Sequence, residues 1–163
     1  MTINTYFEDL KVGSKLQLGK YTFERDEILE FAGKYDPQPF HTDDDAARAS
    51  VFGGLIASGW HTCAVMMKLL VDGALHDSAS LGSPGVDEIR WLKPVRVGDT
   101  LDVVLVIEGA RASQSKPDRG LLVMRSEGYN QHGEQVVYVR SKLLMGRRST
   151  STTIEPATPP ASV

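Results

Sequence analysis

The chain has one cysteine, Cys63, so no internal disulfide can form and a reducing, cytoplasmic setting is expected. Nowhere do apolar residues run to the roughly 20 that a membrane-spanning helix needs. The opening MTINTYFEDLKVG has neither the basic stretch nor the apolar run of a secretory signal. Positive charge is scarce too: 18 Lys and Arg stand against 21 Asp and Glu, a formal net charge of −3. That argues against a general affinity for nucleic acid or an anionic membrane, which needs concentrated positive charge. There is no CxxC, HExxH or similar ligand spacing, so no metal site is expected. Neither GxGxxG after a strand nor GxxxxGK[ST] occurs, which removes the usual supports for nucleotide-dependent redox or phosphoryl chemistry. GxSxG, the serine hydrolase elbow, is absent as well.

What remains is a 163-residue chain, 41% apolar and 24% charged, the size and mix of one globular domain. Its last stretch differs. Residues 149–163 hold seven Ser or Thr, three prolines and one charged residue, with no apolar periodicity. A domain over 1–148 and a flexible tail over 149–163 are therefore expected.

Two textures alternate within the domain. Ile28, Phe31, Ala32 and Tyr35 recur at helical spacing and predict an amphipathic helix over 24–35. Asp36-Pro37-Gln38-Pro39 then reads as a stiff, helix-ending loop. Thr42, followed by three aspartates and AARAS, suits the start of a short helix that Gly53-Gly54 breaks. From Trp60 to Val71 nearly every residue is apolar, with Ser58-Gly59 as a start signal and Gly73 as a stop. A helix this apolar must be enclosed on most sides. The segments 85–92, 100–112, 121–129 and 134–145 are strand-like, separated by turn chemistry at Val97-Gly98-Asp99, 116–120 and 130–133. With an early strand over 15–23, they predict an α+β fold. A curved antiparallel sheet wraps one long central helix.

Chemistry concentrates in Asp36-Pro37-Gln38-Pro39-Phe40-His41. A carboxylate only accepts hydrogen bonds, whereas an imidazole accepts or donates near neutral pH. Held on a stiff loop, the two can orient a water, take its proton and return one elsewhere. The plainer alternative is turn chemistry for Asp36 and backbone bonding for His41. At Ile56-Ala57-Ser58-Gly59-Trp60, glycine lets a ligand approach the first-turn amides, which would polarise a carbonyl oxygen there. Equally, Gly59 could serve helix–sheet packing alone. His61 and Thr62 read as satisfied core polar groups, Cys63 as inert packing, Met66 and Met67 as core filler, and His76 and His132 as loop residues.

Phe31-Ala32, Asp36 to His41, Phe52-Gly53-Gly54, Ile56 to Gly59 and Val97-Gly98-Asp99-Thr100-Leu101 together resemble the MaoC-like dehydratases. That family includes the (R)-specific enoyl-CoA hydratases. Residues 115–120 and 130–134 are similar to its later strands. The resemblance spans most of 5–147 and implies the hot-dog fold, a homodimer or higher homo-oligomer, and an acyl-CoA thioester as substrate with no cofactor. It implies that Asp36 and His41 activate the water that adds to a 2-enoyl-CoA, giving a 3-hydroxyacyl-CoA. Gly59 would offer its amide to the thioester carbonyl, with Gln38, Phe40, Ser58 and Trp60 lining the pocket. Gln38 stands where the family has Asn, and Ser58 where it has His. The helical Ser of some relatives falls at Met67. An acyl-CoA thioesterase, or a non-catalytic acyl-CoA-binding subunit on the same fold, remains as an alternative. A CoA group calls for nearby cations, with Arg90, Lys93, Arg96, Lys116 and Arg119 as candidates.

Overall fold

The computed structural model of the protein describes residues 2–148; the tail expected over 149–163 lies outside the described residues. After a 3-10 turn at Phe7–Asp9, strand β1 covers Lys15–Thr22. Helices α1 (Arg25–Tyr35), α2 (Pro39–Thr42), α3 (Asp44–Ala49) and α4 (Gly59–Leu70) follow. Strands β2 (Gly85–Trp91), β3 (Thr100–Ala112), β4 (Arg119–Tyr129) and β5 (Gln135–Gly146) complete the chain. The five strands form one antiparallel sheet in the order β1-β3-β4-β5-β2. The sheet curves around α4, which is the hot-dog arrangement.

Strand alternation explains why the sheet has an inside. Leu101, Val103, Leu105 and Ile107 of β3 are buried, as are Leu122 and Met124 of β4, while their neighbours face outward. Each such fully buried aliphatic side chain contributes about 1.5–3 kcal/mol. Val65, Met66, Leu69 and Leu70 of α4 fill the concave face opposite them. Gly98 and Gly133 take positive φ in two of the expected turns.

The helical part departs from the sequence reading in four places. Pro39 does not merely end a helix: it occupies the first position of α2, where its missing N–H costs nothing, so His41 sits on a helical turn. The cap of α3 is Asp43, whose Oδ1 accepts the Ala46 N–H at 2.8 Å, and not Thr42. Gly73 does not stop α4, which runs on into a π-helical turn over Val71–Leu75. And α4 is not enclosed on most sides within one chain. Trp60 and Met67 are 57% and 55% exposed, because the sheet covers only the opposite half of the helix.

The π-helical turn passes so close to β1 that a Cβ at Gly73 would lie 2.8 Å from the Leu18 carbonyl oxygen and 2.9 Å from its Cα. Backbone cannot move aside as a side-chain tip can. Gly73→Ala should therefore destabilise the fold by about 1–3 kcal/mol, read as a lower urea midpoint with an unchanged slope.

Candidate active site

Helix α1 delivers Asp36 at its C-terminal cap, with the Asp36 N–H bonded to the Ala32 carbonyl at 2.9 Å. The Asp36–Gln38 turn then reverses the chain, the Gln38 N–H reaching the Asp36 carbonyl at 2.8 Å. One turn of α2 later, His41 projects back toward Asp36. Its Nε2 lies 3.4 Å from Asp36 Oδ2, and its Nδ1 lies 2.8 Å from the Ile56 carbonyl. A carbonyl only accepts, so Nδ1 carries a proton, and in the neutral form of the ring the lone pair is on Nε2, turned toward the carboxylate. Two acceptors that face each other at 3.4 Å suit a molecule that donates to both.

Asp36 is the better anchored of the pair. Ser58 Oγ donates to its Oδ2 at 2.7 Å, and Gln38 Nε2 to its Oδ1 at 2.8 Å. The Ser58 hydrogen bond is the main cause holding its carboxyl below the ordinary value. Burial opposes it, and Gln38 and His41 add to the lowering. Ser58 also caps α4, its Oγ accepting the Trp60 N–H at 3.2 Å. One hydroxyl thus joins the end of α1 to the start of α4.

Beside this pair opens a cavity of about 490 Å³, lined among others by Asp36, His41, Gly59, Trp60, Trp91 and Lys93. The sequence-derived residues Asp36, Gln38, Phe40, His41, Gly59 and Trp60 all reach it. Ser58 does not: it is fully buried beneath the floor and acts on Asp36 from behind. Met67 is turned away from the cavity. The hydroxyl of α4 that lines it belongs to Thr62, whose Oγ1 donates to the Ser58 carbonyl at 3.3 Å.

Trp91 and Val136 also line the cavity and went unnoticed in the sequence, where nothing links a strand-end tryptophan to a glycine 32 residues earlier. Of the candidate cations, Lys93 lines the cavity, paired with Glu134, and Arg96 holds the carbonyl of Phe52 at its rim. Arg90 pairs with Glu88. Lys116 and Arg119 are at the far end of the sheet, since Arg119 begins the strand whose other end, Tyr129, lies roughly 30 Å away.

Among the expected core polar groups, Thr62 is satisfied but His61 is not. Neither ring nitrogen of His61 has a hydrogen bond, although Glu27 Oε1 lies 3.4 Å away and Phe31 stacks on the ring. Burial pushes its pKa down, partly countered by Glu27. Burial raises the Cys63 thiol, in keeping with an inert role. Among the described residues no cluster of three His, Cys, Asp or Glu could hold a metal ion, and no helix is long and apolar enough to cross a membrane.

The carboxylate–imidazole pair beside a helix N-terminus is cradled by the hot-dog sheet that MaoC-like hydratases and dehydratases share. The chain belongs to the MaoC-like dehydratase family, whose model, described as MaoC like domain, matches residues 9–123. It is similar to the crystal structure of a MaoC-like dehydratase from Rhodospirillum rubrum. The two are 40% identical with a TM-score of 0.83, over 90% of this chain and 99% of that one. It is 31% identical over 110 residues to an (R)-specific enoyl-CoA hydratase of Rhodospirillum rubrum, covering 64% of this chain and 70% of that protein. Protein YdeM of Bacillus subtilis is 26% identical over 140 residues, 86% of this chain and 98% of its own.

Asp36 has a depressed pKa in the folded state, so its contribution to stability is present above the unfolded carboxylate value and lost as pH falls through the folded one. Ser58→Ala removes the main cause of the depression. The Asp36 carboxyl should then titrate at higher pH, followed through its 13Cγ signal, and the stability that the carboxyl loses in acid should be smaller, its loss starting at the same pH and ending at a higher one.

Proposed function

We propose that the protein adds water across the double bond of a 2-enoyl-CoA thioester, giving a 3-hydroxyacyl-CoA, and runs the reverse dehydration. The observation that carries this reading is His41 Nε2 facing Asp36 Oδ2 at 3.4 Å, in a cavity that Gly59 at the start of α4 also lines. A water bound there donates one O–H to each acceptor. His41 takes a proton as the water oxygen bonds to Cβ; the π electrons move toward the carbonyl and leave an enolate oxygen. The Gly59 N–H at the positive end of α4 stabilises that oxygen. His41 then returns the proton to Cα, and the carbonyl reforms. Asp36 holds the water and balances the imidazolium; its lowered pKa makes it a poor proton donor, so His41 is the carrier. Electrons and protons balance without a cofactor. The aromatic and aliphatic lining, including Phe40, Phe52 and Val136, suits an acyl chain, and Lys93 and Arg96 stand nearest for the phosphates of CoA. Lone Cys63 fits a reducing, cytoplasmic setting.

The working unit of this reading is a homodimer. Trp60, Met67 and Val71 leave an apolar stripe exposed along α4, and the outer edge of β2 has no strand beside it. On that edge Glu88 and Arg90 flank Ile89. A second copy laid antiparallel about Ile89 brings Glu88 opposite the partner's Arg90, twice over. Opposite-charge cross-strand pairs contribute about 0.2–1 kcal/mol each, and pairing satisfies an edge that would otherwise aggregate.

Two measurements check these statements. A panel of enoyl thioesters followed by loss of ultraviolet absorbance should show turnover, with kcat falling about 10²–10⁴-fold in Asp36→Asn and in His41→Ala. Thiol release with the enoyl chromophore intact would instead select a thioesterase; binding of acyl-CoA without turnover would select a non-catalytic subunit. Sedimentation should give a dimer for the wild type and a folded monomer for Met67→Glu. A monomeric wild type removes the interface.

A further inference from the structure

Trp91, at the last position of β2, meets the first residue of α4. Its indole Nε1–H donates to the Gly59 carbonyl at 3.0 Å. The ring lies so close that a Cβ added at Gly59 would come within 2.6 Å of Cε2 and 2.7 Å of Nε1. Gly59 has ordinary helical backbone, so conformation does not require glycine here. The indole does: while Trp91 keeps its place, position 59 has room for a hydrogen atom only.

The two peptide groups on either side of Gly59 are each held from outside. The Ser58 carbonyl accepts the Thr62 N–H at 3.0 Å and the Thr62 hydroxyl at 3.3 Å. On the other side, the Trp60 N–H donates to Ser58 Oγ at 3.2 Å while the Gly59 carbonyl accepts the indole. The Gly59 N–H lies in the Ser58 peptide plane; with the next plane pinned as well, the two torsions at the Gly59 Cα have little freedom, and that N–H keeps one direction relative to the cavity. That N–H has no acceptor among the described residues. Trp91 is itself held firmly. It pairs with Val137 in the sheet register, the next N–H (Leu92) bonds the Val136 carbonyl at 2.8 Å, and the ring packs edge-on to Trp60 at 5.4 Å.

We propose that Trp91 is a positioning residue that aims the Gly59 N–H at the thioester oxygen, an inference that rests on the hydration reading of the site. Trp91 does not touch the reacting atoms; it acts through the glycine. A hydrogen-bond donor accelerates a reaction most when it already points to where charge will develop. A long stretch of chain separates the two residues, so an edge strand of the sheet sets the orientation of the helix start. The glycine is explained by the same contact, since it leaves the indole its place.

The test separates the indole donor from its bulk. Trp91→Phe keeps a ring and removes the N–H: kcat should fall about tenfold with KM within about twofold and the melting temperature little changed. Gly59→Ala should cost about 100-fold or more, because the new methyl collides with the indole. The double variant Gly59→Ala/Trp91→Leu should be more active than Gly59→Ala alone, since the methyl then has room. Wild-type kcat in Trp91→Phe, or a double variant no better than Gly59→Ala, overturns the proposal. A readout free of turnover is the Gly59 amide signal in a 15N–1H spectrum on adding butyryl-CoA, which has no double bond to hydrate. It should move in the wild type and move less in Trp91→Phe; a wild-type signal indifferent to butyryl-CoA also overturns the proposal. Those shifts in a protein that hydrates no enoyl thioester would leave the positioning role standing and remove the hydration reading. If Trp91→Phe does not fold, the wild-type Trp91 indole N–H decides: slow solvent exchange is expected, and fast exchange is a contrary result.

Discussion

The hydrogen bond from the Ser58 hydroxyl to the Asp36 carboxylate is the joint on which the site depends. It ties the C-terminal cap of one helix to the N-terminal cap of another, 22 residues on, with the hydroxyl fully buried and the carboxylate at the cavity wall. Without the carboxylate, the buried Ser58 hydroxyl would have no acceptor for its proton. The same hydroxyl accepts the Trp60 N–H, so the position of the carboxylate and the start of α4 are one geometric fact. Any movement of α1 against α4 would separate the Asp36–His41 pair from the start of α4.

Around that joint the molecule uses close backbone approach where bulk would spoil alignment. At Gly59 the neighbour is an indole, and at Gly73 it is the backbone of β1. These two contacts locate α4 at its two ends, one against the edge of the sheet and one against its opposite edge strand. The side chains between them, from Val65 to Leu70, then seat the helix on the concave face. Hydrophobic burial supplies most of the stability but little direction, since it depends on area. Direction comes from the few polar contacts and the two close approaches.

Much of this was legible in the residues. Strand-forming composition between turn signals predicted the strands β3, β4 and β5 to within about two residues. The carboxylate–imidazole pair was visible because both groups lie within six residues on one chain segment, where local geometry bounds their separation. Errors clustered where two local signals competed. Pro39 ends one helix and begins another, and Thr42 and Asp43 are adjacent capping residues of which only one can cap. Ser58 was read as pocket lining, though it lies behind the carboxylate, because its depth depends on how two helices meet. His61 was expected to be satisfied, yet its partners would have to come from α1, and spacing says nothing of how far one helix stands from another.

By itself, the order of residues determined the fold class and the central helix, which follow from periodicity, and placed Asp36 and His41 within covalent reach of each other. Only the tertiary structure decided which nitrogen of His41 is bare, because the carbonyl that takes its other proton belongs to Ile56, 15 residues away. It also decided that Trp91 stands over Gly59 and that half of α4 is left open. These are consequences of strand register and helix placement. Contacts of that kind are made by chain segments far apart in sequence, and no local pattern of residues encodes their distance.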